Sequence, residues 1–207
     1  MKKFLLFNTT PIITGQIWDP AKTNSVITLS ADRLTANTTA TNANAYRGSM
    51  GLYGYSANTV YYFEVVKNSA GYNEFGLAKS GAASAVLAGT YFIGSTDTNS
   101  CGYWDYQGLY NGGTPQFTPP PTQTSATLMC AFNPSTGRIW FGSNGTWFNS
   151  GNPATNTNPA ITGFSGTLYP IISVFNATGV NPNTMVAHFT SASWTYPSSA
   201  TGCIAMT

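Results

Sequence analysis

The chain is predicted to be all-β: a single bent antiparallel β-sandwich preceded by a short N-terminal arm. Three observations predict this. Short runs of β-branched and aromatic residues recur along the whole length, punctuated by clusters of Gly, Asn, Pro and Ser. Asn144-Gly145 stands between two aromatic runs, and Asn-Gly is the strongest short-range hairpin signal because both central residues of a type I′ turn need positive φ. The one helical segment, residues 81–88, is too brief to anchor a helical layer.

The elements follow in chain order. Residues 1–17 contain Phe4-Leu5-Leu6-Phe7 and Ile12-Ile13. This opening imitates a signal peptide through Lys2-Lys3, but its apolar run stops before Asn8 and no small-residue cleavage site follows. It is therefore read as structure, in a protein not exported by a signal of its own. Phe4, Leu6, Ile12 and Ile13 form an assembly arm that adds an edge strand to a neighbouring subunit, or else they make the first strand of the sandwich itself.

The domain is read over residues 18–207. Residues 26–29 and 31–36 form a hairpin. The clearest strand is 59–66, dense in β-branched and aromatic residues, and 73–78 is short and alternating. Residues 126–132 run into the turn 133–137. The Asn-Gly hairpin pairs 138–141 with 146–148, and a Pro/Asn/Thr-rich loop follows over 149–162. Strands at 168–175 and 185–189 complete the set. Residues 112–123 contain prolines that remove ladder donors, so they read as a surface excursion within one domain.

Composition narrows the function. Of 207 residues, 42% are hydrophobic and 14% aromatic, so a core is readily filled. Only 7% are charged, against roughly 25% in an ordinary soluble domain. Asn, Thr, Ser and Gly must therefore carry the surface, which suits an extracellular or virion-exposed protein. A net charge of +2 with no basic run beyond Lys2-Lys3 excludes an electrostatic footprint for nucleic acid. No apolar stretch approaches the roughly 18 residues that would span a membrane. Cys101, Cys130 and Cys203 are widely separated and odd in number, so buried thiols are the reading rather than a disulfide framework. One histidine, His188, and no close Cys pairs leave no metal site, and no cofactor is expected.

Catalysis finds little support. The acidic residues are Asp19, Asp32, Glu64, Glu74, Asp97 and Asp105, and none forms the close acidic cluster that sugar hydrolysis on a sandwich would need. Glu64 and Glu74 are expected on neighbouring strands, meeting Arg47 or Lys79. His188 reads as a hydrogen-bonded sheet histidine, without an adjacent nucleophile. The aromatics are the stronger lead: Trp104, Asp105, Tyr106 and Tyr110 concentrate large rings and a carboxylate in a glycine-rich stretch. With Asn144 and Trp147 they make the candidate contact set for a ligand or partner. The same rings also suit a core, with Tyr103 and Trp147 turned inward.

The order of segments resembles one family. Trp18-Asp19-Pro20 with Ile27-Thr28-Leu29-Ser30, then Arg47-Gly48 and Tyr61-Tyr62-Phe63-Glu64-Val65, are similar to the opening segments of the SPRY domains of bacteriophage virion and tail proteins. Phe75-Gly76-Leu77-Ala78, Cys101-Gly102-Tyr103, the 138–148 hairpin, Leu168-Tyr169-Pro170, and Ala187-His188-Phe189 with Trp194-Thr195-Tyr196 continue the series in order. His188, Thr190, the prolines 119–121 and residues 1–17 depart from the pattern. The resemblance implies a SPRY, concanavalin-like jelly roll and a role in binding rather than catalysis. The expected protein is a phage virion subunit, decorating the capsid or associated with the tail, made in the bacterial host cytoplasm. Its expected partners are other virion subunits, with homo-oligomerisation through virion symmetry, no nucleic acid and no membrane insertion. The alternative is a carbohydrate-binding module of an adhesin or receptor-binding protein, contacting a cell-surface glycan through Trp104, Tyr106 and Trp147.

Overall fold

Asn144 and Gly145 turn the chain with φ of 48° and 82°, the pair of left-handed conformations that an Asn-Gly hairpin provides. The same alternation of strand and turn organises the rest. The structure, a computed structural model, describes residues 14–38, 46–68, 72–89, 92–95, 98–105, 108–116, 125–175 and 183–207. The arm positions Phe4, Leu6, Ile12 and Ile13, together with Tyr106, lie outside the described residues.

The strands in chain order are β1 (Trp18–Thr23), β2 (Ile27–Leu29), β3 (Thr35–Thr38), β4 (Tyr46–Gly51) and β5 (Tyr61–Lys67). Then come β6 (Tyr72–Ala78), a helical turn leading into α1 (Ala83–Ala88), β7 (Ser100–Trp104), β8 (Gly108–Asn111) and β9 (Thr114–Pro115). The last six are β10 (Ala126–Asn133), β11 (Arg138–Ser143), β12 (Thr146–Trp147), β13 (Tyr169–Phe175), β14 (Asn183–His188) and β15 (Ile204–Ala205). One sheet, called A, runs β1-β4-β13-β6-β7-β8-β9. The other, B, runs β12-β11-β10-β5-β14-β3-β2, with β15 joined parallel to β5. All other strand pairs are antiparallel, so the molecule is the expected two-sheet sandwich.

Strand alternation sorts each sheet into two faces. Phe75, Leu77, Cys101, Tyr103, Leu109, Ile172 and Val174 of sheet A meet Phe63, Val65, Leu128, Cys130, Phe132, Phe141 and Met185 of sheet B in the main core. Rings dominate the contact: Phe63 lies 5.0 Å from Phe75, which lies 5.9 Å edge-on from Phe141. The three cysteines are free, and Cys101 and Cys130 are buried in this core.

Several sequence expectations are corrected. The hairpin return strand begins at Thr35 rather than at 31, because Arg33 takes a positive φ of 58° and closes a turn. The glycine-rich stretch that carries Trp104 and Tyr110 contributes two paired strands, Ser100–Trp104 and Gly108–Asn111. Glu64 and Glu74 sit in different sheets, on β5 and β6, and neither forms a described bond to Arg47 or Lys79. Phe148 leaves β12 into a short helical turn. Gln16 and Ile17, the last two residues read as arm or edge strand, are buried against the sandwich, with the Gln16 amide bonded to both backbone groups of Tyr53.

Gly76 and Gly102 oppose each other between β6 and β7. A Cβ at Gly76 would collide with the Cys101 carbonyl oxygen and lie 2.7 Å from the Gly102 Cα. Both are backbone atoms, which no rotamer change can move aside. Gly76→Val is expected to cost about 3 kcal/mol in urea unfolding, at the upper end of ordinary overpacking. A loss below about 1 kcal/mol would contradict the close approach.

Candidate functional site

Register places one set of side chains on the outer face of sheet A. Glu74 pairs with Trp104 on one side and Ser173 on the other. One row along, Gly102 pairs with Tyr110, and Tyr46 opens β4 at the edge of the same face. Residues 92–95, from the connection between α1 and β7, lie over this face. Ile93 donates its N–H to Glu74 Oε2 at 2.9 Å, and Gly94 donates to Ser100 Oγ at 2.8 Å. The Ile93 side chain packs with Met50, Ala78 and Ile171 against the sheet.

That stapling sets Phe92 among three rings. Its centroid lies 4.8 Å from Trp104, 4.9 Å edge-on from Tyr110 and 5.9 Å from Tyr46. Tyr46 also meets Trp104 edge-on at 6.1 Å. Trp104 is the floor at 8% exposure, while Tyr46, Phe92 and Tyr110 are half-buried and present their rims to solvent. Aromatic pairs at these separations add about 0.5–1.5 kcal/mol each beyond area burial, so the cluster is a rigid surface. Beneath it, burial pushes the Glu74 carboxyl well above its ordinary range, despite the Ile93 N–H. Burial of the Tyr46 phenol likewise drives its pKa up.

Asp105, expected as a contact carboxylate, is instead sealed inside at 1% exposure. It pairs with Lys67, whose side chain is also fully buried, and accepts the Asn73 N–H at 3.0 Å. Lys67 ends β5 of sheet B and Asp105 follows β7 of sheet A, so the pair ties the two sheets together through the core.

Asn144 and Trp147 lie on the opposite side of the molecule. The outer face of sheet B carries Tyr62, Met129, Ala131 and Trp140, and the C-terminal residues 190–206 strap across it with Trp194, Tyr196, Ala200 and Cys203. Trp147 meets Tyr62 edge-on at 5.9 Å under this strap. The Asn144 side-chain oxygen accepts the Thr127 N–H at 2.9 Å, tying the hairpin turn to the start of β10. The loop 149–162 is pinned down by Trp140 Nε1–H donating to the Thr157 carbonyl at 2.7 Å and by buried Ile161.

Glu64 anchors the strap. Its two oxygens accept the N–H groups of Thr195 (2.6 Å) and Tyr196 (2.8 Å), and the Tyr62 hydroxyl donates at 2.7 Å. His188 Nδ1 stands 3.5 Å from the same carboxylate. His188 thus sits on a sheet face beside an acid, as a hydrogen-bonding group.

The structure therefore brings Trp104 and Tyr110 together, places Asp105 beneath them, and separates Asn144 and Trp147 from all three. Tyr46 and Phe92 complete the cluster without having stood out in the sequence. The signal for Phe92 was the isolated run Tyr91-Phe92-Ile93 between glycines and polar residues. Among the described residues no group of His, Cys, Asp and Glu is arranged to hold a metal, and no helix is long and apolar enough to cross a membrane.

The SPRY domain family model matches residues 60–185. Among solved structures, the chain is similar to the SPRY domain of human HERC1, with a TM-score of 0.62 and 16% identity over 82% of this chain and 96% of that one. It is similar to the TRIM65 PSpry domain, with a TM-score of 0.58 and 14% identity over 84% and 90% of the two chains. It also resembles stonustoxin, with a TM-score of 0.58 and 16% identity over 84% of this chain but 27% of the toxin chain. At these identities the likeness speaks to the fold. No curated protein sequence matches the chain.

Proposed function

The chain belongs to the SPRY domain family, and on that premise we propose that it is a protein-binding module whose contact surface is the aromatic cluster on the outer face of sheet A. One observation carries this reading: Tyr46, Phe92 and Tyr110 stand partly exposed over a buried Trp104, with the backbone beside Phe92 stapled to the sheet. Rigid Tyr and Trp clusters of this kind supply binding hot spots, because they offer much contact area and lose little rotamer freedom. The acids near the cluster are engaged in internal bonds, which favours binding over catalysis. Trp104, at 8% exposure under Phe92, has no open ring face on which a sugar would stack, and Trp147 is packed under the strap. The protein reading is thereby favoured over the glycan one. Within it, the charge-poor polar composition supports the setting of a bacteriophage virion subunit that docks on its neighbours and is displayed on the particle.

Peptides selected from a random library against the full chain provide the test. The double variant Phe92→Ala/Tyr110→Ala is expected to weaken them at least about 30-fold, the equivalent of a 2 kcal/mol hot spot. Ile204→Ala, on an exposed side chain of the opposite face, is expected to leave them unchanged. Equal affinity for the double variant and the parent would sink the assignment.

A further inference from the structure

A second feature lies where the two sheets border each other. β1 is an edge strand of sheet A and β2 an edge strand of sheet B. A groove of about 400 Å³ lies between them and is lined by both the β1–β2 and the β2–β3 turns. Ordinary binding pockets occupy about 300–1,000 Å³, so the space suffices for a ligand group. Pro20, Ile27 and Leu29 make its apolar side, and Thr23 and the exposed Ser25 bring hydroxyls to it.

Arg33 is the one charged residue among the described residues that line the groove, and it is partly buried. Among the described residues no carboxylate pairs with its guanidinium and no group hydrogen-bonds it. The acids nearest in sequence are held elsewhere. Asp32 accepts the Ser30 hydroxyl and the Leu34 N–H, and it lines a different cavity. Asp19 pairs with Lys22 at 3.2 Å and accepts the Ala21 N–H at 2.9 Å. The turn itself gains nothing from arginine, because φ of 58° at Arg33 suits glycine and strains a residue with a Cβ. Strain of this kind concentrates where a residue serves a ligand.

We propose that the groove takes the carboxylate of an acidic side chain from a protein partner. A guanidinium grips a carboxylate through two parallel N–H bonds, and a partly desolvated cation without a counter-ion has its full donor set to offer. Asp19 and Asp32 each precede a lining residue in the chain, so a doubly charged anion such as phosphate meets more repulsion there than a single carboxylate does. The apolar side formed by Pro20, Ile27 and Leu29 covers the methylenes of a side chain, which a bare anion lacks. The contact is separate from the aromatic surface of sheet A and does not rest on it.

Amide chemical-shift titrations of the full chain at neutral pH test the assignment, with a capped glutamate residue (N-acetyl, α-amide) as the probe. Saturable shifts are expected over residues 23–33. The neutral capped glutamine, acetate and inorganic phosphate are each expected to bind at least about tenfold more weakly, the scale of a hydrogen-bonded charge. Arg33→Gly, which fits the left-handed turn, is expected to fold and to lose binding by a similar factor. Arg33→Gln, which keeps a polar side chain without the charge, is expected to do the same. Shifts that fail to saturate, glutamine or phosphate binding as well as glutamate, or undiminished binding in either variant would overturn the anion site. Acetate binding as tightly as the capped residue would overturn the assignment to a protein side chain.

Discussion

Asp105→Ala is expected to lower the unfolding free energy by about 3–5 kcal/mol, the usual result of stranding one member of a buried ion pair. The Lys67 side chain is fully buried between the sheets, and the Asp105 carboxylate is its described charged partner. Removing that carboxylate leaves an ammonium with no route to water and also strips the Asn73 N–H of its acceptor. Burial pushes the Asp105 pKa up, with Lys67 and the Asn73 N–H pulling it back, so the pair is retained at a considerable desolvation cost. The apolar replacement Lys67→Met/Asp105→Leu is accordingly expected to recover most of the loss, since well-packed apolar substitutes for buried pairs are often neutral or better. Urea unfolding of the three proteins checks this. A loss below about 1 kcal/mol in Asp105→Ala would mean that the pair does not join the sheets.

Glu64→Leu is the second large effect, at about 3 kcal/mol or more. The substitution leaves the part-buried N–H groups of Thr195 and Tyr196 and the buried Tyr62 hydroxyl without their acceptor; the stranded buried hydroxyl alone costs about 1–3 kcal/mol, and the two lost amide bonds add about 1 kcal/mol each. Because those donors hold the strap, its release would uncover Tyr62, Met129 and Trp140. The predicted signature is increased binding of an apolar dye together with the lower stability. The pH dependence has a definite sign. Burial pushes the Glu64 carboxyl up, but hydrogen bonds from His188, the Thr195 N–H, the Tyr62 hydroxyl and the Tyr196 N–H outweigh it and hold the pKa below the ordinary value. A depressed folded pKa gives stability that is present above the unfolded pKa, about 4.3, and is lost as pH falls through the folded one. Glu74 and Asp105 shift the opposite way, so the clean reading is the difference between the parent and Glu64→Gln. That difference is expected to shrink below about pH 4; a gap that widens in acid would contradict the latch.

Local chemistry made much of this fold legible before any coordinates. Asn144-Gly145 forms its turn because positive φ is an intrinsic preference, and β5 and β10 were readable because dense β-branched and aromatic runs have few alternatives. The order of segments pointed to the family that the match over residues 60–185 shows. Pairing across the sandwich was not legible. Glu64 and Glu74 are ten residues apart in sequence, yet β5 and β6 enter different sheets. Asp105 next to Trp104 looked like a surface carboxylate until the partner strand brought Lys67 inside to meet it. Trp104 and Tyr110 stand out as candidates in the sequence, but Phe92 and Tyr46 join them from separate segments that only the fold brings together.

The measurement that bears most directly on the partner surface is a hydrogen-exchange footprint of the full chain with a library-selected peptide bound. Protection is expected over residues 46–48, 92–95 and 108–111, the segments that carry Tyr46, Phe92 and Tyr110. Protection confined to residues 190–206 and the 143–147 hairpin, on the far face, would contradict the assignment of the binding surface to sheet A.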